Sequence, residues 1–343
     1  MQDVAARAGV SKTTVSHVIN DTRPVEEGTR QKVLAAIGAL GYHPNLLARS
    51  LTTKKTNIIG IVISDSTNYF FGEILRGVEE VLLPENYGLI VCNTNDNLER
   101  ETHYLKLLLS QRVDGIISAA TSQAWKDQSR TDIQQHTPLV YVDRSFEAMD
   151  GPFVGVNNQQ GAYLGVRHLI ENGHHHIGLL AGFELLSTMR ERTTGYEQAL
   201  LEAGLPLRDE WMIQSRLSIE DGRQAMHALL TSPQPPRAVF INNNLLAIGG
   251  LLELRALGLR CPEDVAIASF DDHPWAAVAD PPLTVVRQPA QQLGHTAAEI
   301  LLVLIEHQPV APTRIALECE LVVRQSSAKT CPPAQPRGKT ARA

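Results

Sequence analysis

Along the first 43 residues apolar positions recur at helical spacing, and no strand-like run interrupts them. Asp3 to Ala8 predicts a short helix ended by Gly9. Ser11 predicts the N-cap of a second helix reaching about Val18, with Asn20-Asp21 as its stop. Val33, Leu34, Ile37 and Leu40 mark one face of a longer helix that closes at Gly41. Pro44 sets a boundary; residues 45–51 predict a short helical piece and 52–57 a polar connector. From Asn57 the texture changes. Ile58-Ile59-Gly60-Ile61-Val62-Ile63 is a continuous apolar run, as expected of a strand buried on both faces. Helices at about 70–83, 98–110 and 123–135 then alternate with strands at 88–92, 114–118 and 138–142. A second round follows, with helices at 158–171, 190–203, 219–231 and 244–257 and strands at 177–181, 238–241 and 265–270. A helix at about 290–307 and a strand at 315–323 close the pattern. Repeated βα units imply an α/β fold of parallel sheets with helices on both faces. Two rounds imply two lobes, with a ligand cleft beyond the carboxyl ends of their strands. The tail from Ser326 lacks periodicity and is expected to be disordered.

Composition adds bounds. The 343 residues suffice for two or three domains, and 43% hydrophobic residues allow a sizeable core. No run of about 18 apolar residues predicts a membrane helix, and the N-terminus lacks a signal-peptide pattern, so a cytoplasmic protein is expected. Cys92, Cys261, Cys319 and Cys331 lie far apart without metal-ligand spacing, and are expected to be reduced thiols. The net charge of −6 hides a split. Residues 1–56 carry eight Lys/Arg against four Asp/Glu, residues 57–323 carry 18 against 33, and residues 324–343 carry five against none. A basic head on an acidic body suggests that the head meets an anion.

The most specific signal is Ala5-x-x-x-Gly9-Val10-Ser11-x-x-Thr14-Val15-Ser16. Ala5 is small where two helices cross, Gly9 permits a left-handed turn, and Val10 and Val15 close a miniature core. Ser11 presents the N-terminus of the second helix, which suits a phosphate. Lys12, Thr13, Ser16 and His17 are then exposed at its start, where a helix-turn-helix touches base edges.

The run Asp3-Val4-Ala5-x-x-Ala8-Gly9-Val10-Ser11-x-x-Thr14-Val15-Ser16-His17-Val18-Ile19-Asn20 resembles the head of the lac-repressor (LacI/GalR) family, especially its purine and ribose repressors. The likeness continues through Arg30, Gly41-Tyr42-x-Pro44-Asn45 and Ala48-Arg49-Ser50-Leu51, and along the body to about residue 325. The resemblance implies a helix-turn-helix head at 1–43, a hinge helix and linker at 44–56, and a two-lobed periplasmic-binding-protein-like core at 57–325. Its N-lobe would comprise about 57–157 and 288–316, its C-lobe about 158–287 and 317–325, ahead of the tail at 326–343. It further implies a homodimer that binds double-stranded operator DNA through Ser11, Lys12, Thr13, Thr14, Ser16, His17 and Asn20. The hinge would insert Leu51 into the minor groove beside Ala48 and Arg49, offsetting the cost of unstacking with a bend that brings further contacts. One departure stands out: only Met1-Gln2 precede Asp3, where family members usually carry a capping Thr. Either the first helix lacks its cap or translation starts upstream.

In the body the resemblance carries effector-binding roles to Phe70, Phe71, Arg144, Arg192, Asn244 and Asp271. These residue types suit a polyol, since Asp and Asn pair with vicinal hydroxyls, Arg forks onto two oxygens, and rings cover an apolar sugar face. Relatives usually carry Asp where Asn244 stands, and purine- and ribose-type members an aromatic residue where Arg144 stands. Both shifts favour an anion such as a sugar acid or sugar phosphate, unless Arg144 pairs with Asp143, Glu147 or Asp271 and the ligand is a neutral sugar. A transcriptional repressor without cofactor, metal or catalytic activity is expected; a soluble sugar-binding protein is the alternative. A dehydrogenase would need G-x-G-x-x-G after a strand, which neither Gly60 nor Gly178–Gly182 supplies. His174-His175-His176 reads as a solvated loop, because consecutive side chains diverge too much to share a metal.

Overall fold

The computed structural model describes residues 1–20, 23–42, 55–119, 121, 137–146 and 149–328. The expected hinge with Ala48, Arg49 and Leu51, the helix at 123–135, and the tail beyond 328 lie outside the described residues. The chain divides into two compact units, Met1–Asn57 and Ile58–Ala343.

The first unit holds three helices, α1 (Gln2–Ala8), α2 (Lys12–Asn20) and α3 (Glu27–Leu40). Gly9 ends α1 in the left-handed region at φ 65°, which a side chain would resist. Ser11 Oγ accepts the Thr14 backbone N–H at 3.0 Å, the N-cap bond expected from its position. Met1 precedes α1 without any side-chain cap bond. Val4, Ala5, Val15, Val18, Val33 and Ala36 form the core of this unit. Leu34 and Leu40 correct the expected face of α3: they are 50% and 40% exposed. The face turned to the core is Val33, Ala36 and Ile37, at i, i+3 and i+4, and the small Ala36 lets the helices approach.

The second unit contains two six-stranded sheets. In chain order the first lobe begins with β1 (Ile58–Ile63), α4 (Tyr69–Leu82), β2 (Gly88–Asn93), α5 (Leu98–Ser110), β3 (Gly115–Ser118), β4 (Leu139–Val142) and β5 (Phe153–Val156). The second lobe holds α6 (Asn158–Glu171), β6 (Ile177–Gly182), α7 (Ser187–Glu202), β7 (Met212–Ser215), α8 (Ile219–Leu230), β8 (Ala238–Ile241), α9 (Asn244–Ala256), β9 (Ala266–Phe270), α10 (Pro274–Val278) and β10 (Thr284–Arg287). The chain then returns to the first lobe for α11 (Ala290–Ile305) and β11 (Arg314–Leu317), and ends in the second with β12 (Glu320–Val322). The sheet orders are β11-β5-β4-β3-β1-β2 and β12-β10-β9-β8-β6-β7. Strand pairs are parallel throughout, except that β12 runs antiparallel to β10. The apolar run of β1 is an interior strand between β3 and β2, with five of its six residues buried, as its composition demands.

Three expectations need correction. The strand at 315–323 is two strands in different sheets, separated by Glu318 and Cys319 where the chain crosses between lobes. An extended run on paper cannot show which sheet each half joins. The expected disorder from Ser326 begins too early: Ser326 and Ser327 are fully buried, Ser326 Oγ donating to the Ile267 carbonyl at 2.7 Å and Ser327 Oγ lying 2.8 Å from His168 Nε2. His174 is 3% exposed and belongs to the same packed end, while His175 and His176 remain exposed. Among the described residues no helix is long and apolar enough to cross a membrane.

Helices in the body approach to backbone contact. On α4 a Cβ at Gly77 would overlap the Gln291 carbonyl oxygen, and on α11 one at Gly294 would overlap that of Ile74. Glycine weakens a helix interior by about 1 kcal/mol against alanine, so these two are explained by the close crossing. Gly77→Val should therefore lower stability by about 1–3 kcal/mol through overpacking, measured by denaturant unfolding, whereas Gly72→Ala on the same helix has open space and should not.

Candidate functional site

In the first unit, Ser11, Lys12 and Thr13 are exposed at the start of α2, and Thr14, Ser16 and His17 are half-buried. Val15 and Val18 turn inward, so 12, 13, 16 and 17 share the opposite side. The side chain of Asn20 is not among those described. This is a helix whose N-terminal turn is outward and whose polar face holds four hydrogen-bonding residue types.

In the second unit, parallel pairing brings the carboxyl ends of the strands of both sheets to a common seam. A cavity of about 80 Å³ lies there, lined by Phe70, Phe71, Arg144, Arg192 and Asp271 together with Asp96 and Thr188. Five of the six expected effector residues thus share one cavity. The sixth, Asn244, is the first residue of α9 and reaches across the seam: its Nδ2 donates to Asn68 Oδ1 at 3.2 Å and lies 2.7 Å from His273 Nε2. Asn68 in turn caps α4 by accepting the Phe70 N–H at 3.1 Å. Ser145 N–H donates to Ser187 Oγ at 3.0 Å, a second bond between lobes. Burial holds the His273 imidazole below its usual range, against the pull of Asp271 and Asp272, which suits an Nε2 that accepts from Asn244.

Arg192 is 3% exposed and fixed on several sides. Its Nε donates to Asn158 Oδ1 at 2.8 Å, its Nη1 to the Asn242 carbonyl at 2.7 Å, and its guanidinium stacks 3.6 Å from the Phe270 ring centre. Asp271 Oδ2 stands 4.0 Å from the same nitrogen, and Asp271 Oδ1 accepts from Gln288 Nε2 at 2.5 Å. Nη2 takes no part in these bonds. Of the partners expected for Arg144, Asp143 is in contact with it, but the main partner is one that was not expected. Its main partner is Asp96, with Ser64 Oγ at 3.3 Å and Asp143 Oδ2 at 3.5 Å as further contacts; Glu147 lies outside the described residues. Asp96 is 48 residues away in sequence, so no local pattern announced it. Burial pushes the Asp143 carboxyl up to about 6, only partly offset by Arg144 and Arg192.

Sequence reasoning also missed Asp96, Asn68 and Gln288 as parts of the site, and weighed Asp143 only as a partner for Arg144. One signal was available. Asp96, Asp143 and Asp271 all have positive φ (54°, 69° and 74°), a conformation that Asp tolerates better than most residues. Asp143 and Asp271 directly follow a strand end and Asp96 stands three residues beyond one, so an Asp soon after an apolar run marked a sharp turn at the seam. Among the described residues, the buried acceptors Asn244 Oδ1 and Gln288 Oε1 and the buried donor Asn242 Nδ2 have no partner. Counting charge at the cavity wall gives Arg144 and Arg192 against Asp65, Asp96, Asp143 and Asp271. The wall is acceptor-rich and net negative.

Comparison with known proteins bears on both units. Residues 1–45 match the family described as bacterial regulatory proteins, lacI family, and residues 166–327 match the periplasmic binding protein-like domain. The chain is 37% identical over 329 residues to the HTH-type transcriptional repressor PurR of Photobacterium profundum, covering 95% of this chain and 98% of that one. It is 36% identical over 329 residues to the repressor of the same name from Vibrio vulnificus, with coverage of 96% and 98%. Among solved structures it is similar to the lac repressor dimer bound to operator and the anti-inducer ONPF, at TM-score 0.84 and 28% identity over 95% of this chain and 98% of that one. It is also similar to the complex of the transcriptional regulator CelR with cellobiose, at TM-score 0.72 and 31% identity, with the same coverage. A helix-turn-helix unit followed along the chain by a two-lobed binding unit, matched over nearly its whole length by such repressors, means that the chain belongs to the lacI family of bacterial regulatory proteins and is a DNA-binding transcriptional repressor, not an enzyme.

Proposed function

We propose that this repressor grips a palindromic operator as a homodimer in the cytoplasm and responds to a neutral, sugar-like effector held between its lobes, so governing a carbohydrate-utilisation operon. The observation that carries the effector reading is the unpartnered buried acceptor of Gln288, Oε1, on a residue of the cavity wall that also holds the immobilised Arg192. A buried acceptor left unpaired costs about 1–3 kcal/mol, and a ligand rich in hydroxyl donors removes that cost. Phe70 and Phe71 offer apolar ring surface at the same wall. Sugar acids and sugar phosphates fit less well, because Arg144 is already neutralised by Asp96 and the wall is net negative. The similar regulator CelR is seen with cellobiose, a neutral saccharide, which supports the same class here.

Three lines support the dimer. One helix-turn-helix spans only a half-site, so affinity for a symmetric operator needs two heads. The second lobe also carries an apolar groove of about 860 Å³ between α9 and α10, where Val278 is 83% and Leu252 46% exposed. Apolar side chains so exposed and so grouped suit a second copy of the chain. The similar lac repressor structure is a dimer on its operator.

Three outcomes are expected for effector and assembly. In thermal-shift assays neutral sugars should raise the melting temperature while sugar acids and sugar phosphates of the same ring do so less, since a ligand stabilises in proportion to its affinity; the reverse order defeats the neutral reading. Arg192→Lys, which keeps the charge and loses the fork, should weaken effector binding about 10–100-fold by calorimetry and leave operator binding without effector near wild type, whereas Leu51→Ala should weaken the operator complex and spare effector affinity. Val278→Asp should give monomers by sedimentation at micromolar concentration. On operator DNA, His17→Ala should cost about 1–3 kcal/mol and change the preferred base in a randomised-site selection, and an unchanged preference removes His17 from the readout.

A further inference from the structure

The seam between the lobes has a second chamber. A pocket of about 540 Å³ lies beside the smaller cavity and shares Phe70, Asp271 and Gln288 with it. Its size is that of an ordinary small-ligand site, and both lobes build its walls. Tyr69 and Glu73 on α4 and Gln291 on α11 come from one lobe; His273 and Ala277 come from the other.

The chemistry of these walls is specific. The Tyr69 side chain is 43% exposed, and its ring lies 5.3 Å from that of His273 at a 53° tilt. An exposed ring framed by a carboxylate and carboxamides is suited to the apolar face and hydroxyl edge of a pyranose. The cations are already committed. Arg287 Nη2 and Arg324 Nη2 bind Asp272 Oδ2 at 2.7 and 2.9 Å, so the pocket has a fixed floor and little to offer a phosphate. Burial opposes the Asp272 charge, but the bonds from Arg324 and Arg287 hold its carboxyl below the usual range. Gln288 stands in the shared wall at 8% exposure. Its amide nitrogen donates to Asp271, and its oxygen has no partner. That oxygen is an acceptor placed where the two chambers meet.

We propose that the effector is an elongated saccharide, with one ring in the cavity between Phe71 and Arg192 and a second ring in the outer chamber against Tyr69. A hydroxyl near the linkage donates to Gln288 Oε1. This rests on the reading of the effector as a sugar and adds its length. Because both lobes line the outer chamber, the second ring makes contacts that exist only in this arrangement of the lobes, and so adds to the effector's power to select it.

The test uses the full chain and a panel of glucose, galactose, fructose and ribose with cellobiose, maltose, lactose, melibiose, sucrose and trehalose. Calorimetry should find one disaccharide that binds at least about 10-fold tighter than either of its component sugars. Ala277→Trp, which fills the outer chamber from an exposed position, should cancel that gain, and Tyr69→Ala should lower disaccharide affinity at least about fivefold; the melting temperature of each variant without ligand verifies its fold. A monosaccharide that binds as tightly as any disaccharide overturns the outer chamber while leaving the sugar reading intact. So does a disaccharide whose affinity ignores Ala277→Trp. If no saccharide binds at millimolar concentration, the sugar reading falls and this inference falls with it.

Discussion

Parallel pairing sends the carboxyl end of every strand but β12 to the same edge of its sheet, and the body of this protein is made of two such edges brought face to face. Everything in the cleft follows from that constraint. Asp143 and Arg144 follow β4, Asn242 to Asn244 follow β8, Asp271 follows β9, and Asp96 stands three residues beyond β2. A strand that stops at the seam must turn at once into a loop or a helix. The left-handed backbone at Asp96, Asp143 and Asp271 is that turn, and the aspartates that tolerate it are then delivered to the cleft. Local backbone geometry and site chemistry are therefore one choice of residue.

So many carboxylates in one seam would repel one another, and two buried arginines hold them. Arg144 pairs with Asp96 and Asp143, and Arg192 stands beside Asp271. Neither arginine is a loose cation waiting for an anion. Arg192 in particular is set by Asn158, the Asn242 carbonyl and the Phe270 ring, so its position is independent of any ligand. A pre-set donor costs little to use, which is how one guanidinium can discriminate among similar rings. The acceptor on Gln288 that has no partner among the described residues suits the donor-rich effector proposed above.

How much of this could be read from sequence depended on the range of the interaction. The head was legible because its logic is local: Gly9, Ser11 and Val15 act within a dozen residues, and φ 65° at Gly9 and the Ser11 cap bond are what that spacing requires. The βα alternation was legible for the same reason, and so was the meeting of Phe70, Phe71, Arg144, Arg192 and Asp271, though through family resemblance and not through spacing. Long-range pairing was not legible. Asp96 reaches Arg144 across 48 residues, and Ser327 reaches His168 across 159, so a tail that looked featureless proved packed through Ser327. The crossing at Glu318-Cys319 was hidden because sheet membership is not a property of an extended segment alone. Leu34 and Leu40 misled because hydrophobicity shows what can be buried, and the smaller Ala36 took the place at the helix contact.

The lobes differ in kind from the seam between them. Each lobe has its own apolar core, one built around Ile59, Ile74 and Leu301, the other around Tyr196, Phe240 and Phe270, and Cys319 at a crossing packs against both. Across the seam the bonds are polar and few, such as Asn244 to Asn68 and Ser145 to Ser187. Polar bonds of this sort are nearly neutral when exchanged for water, whereas opening a core loses about 25 cal/mol for each Å² of apolar surface exposed. The arrangement of the lobes can thus change without unfolding either one. A ligand that bridges the seam adds interaction to one arrangement only, and its differential affinity sets the limit of the shift it can impose. An effector bound as proposed, across polar and exchangeable contacts with the apolar surface kept inside each lobe, would act on an equilibrium that a binding event of modest energy is able to move.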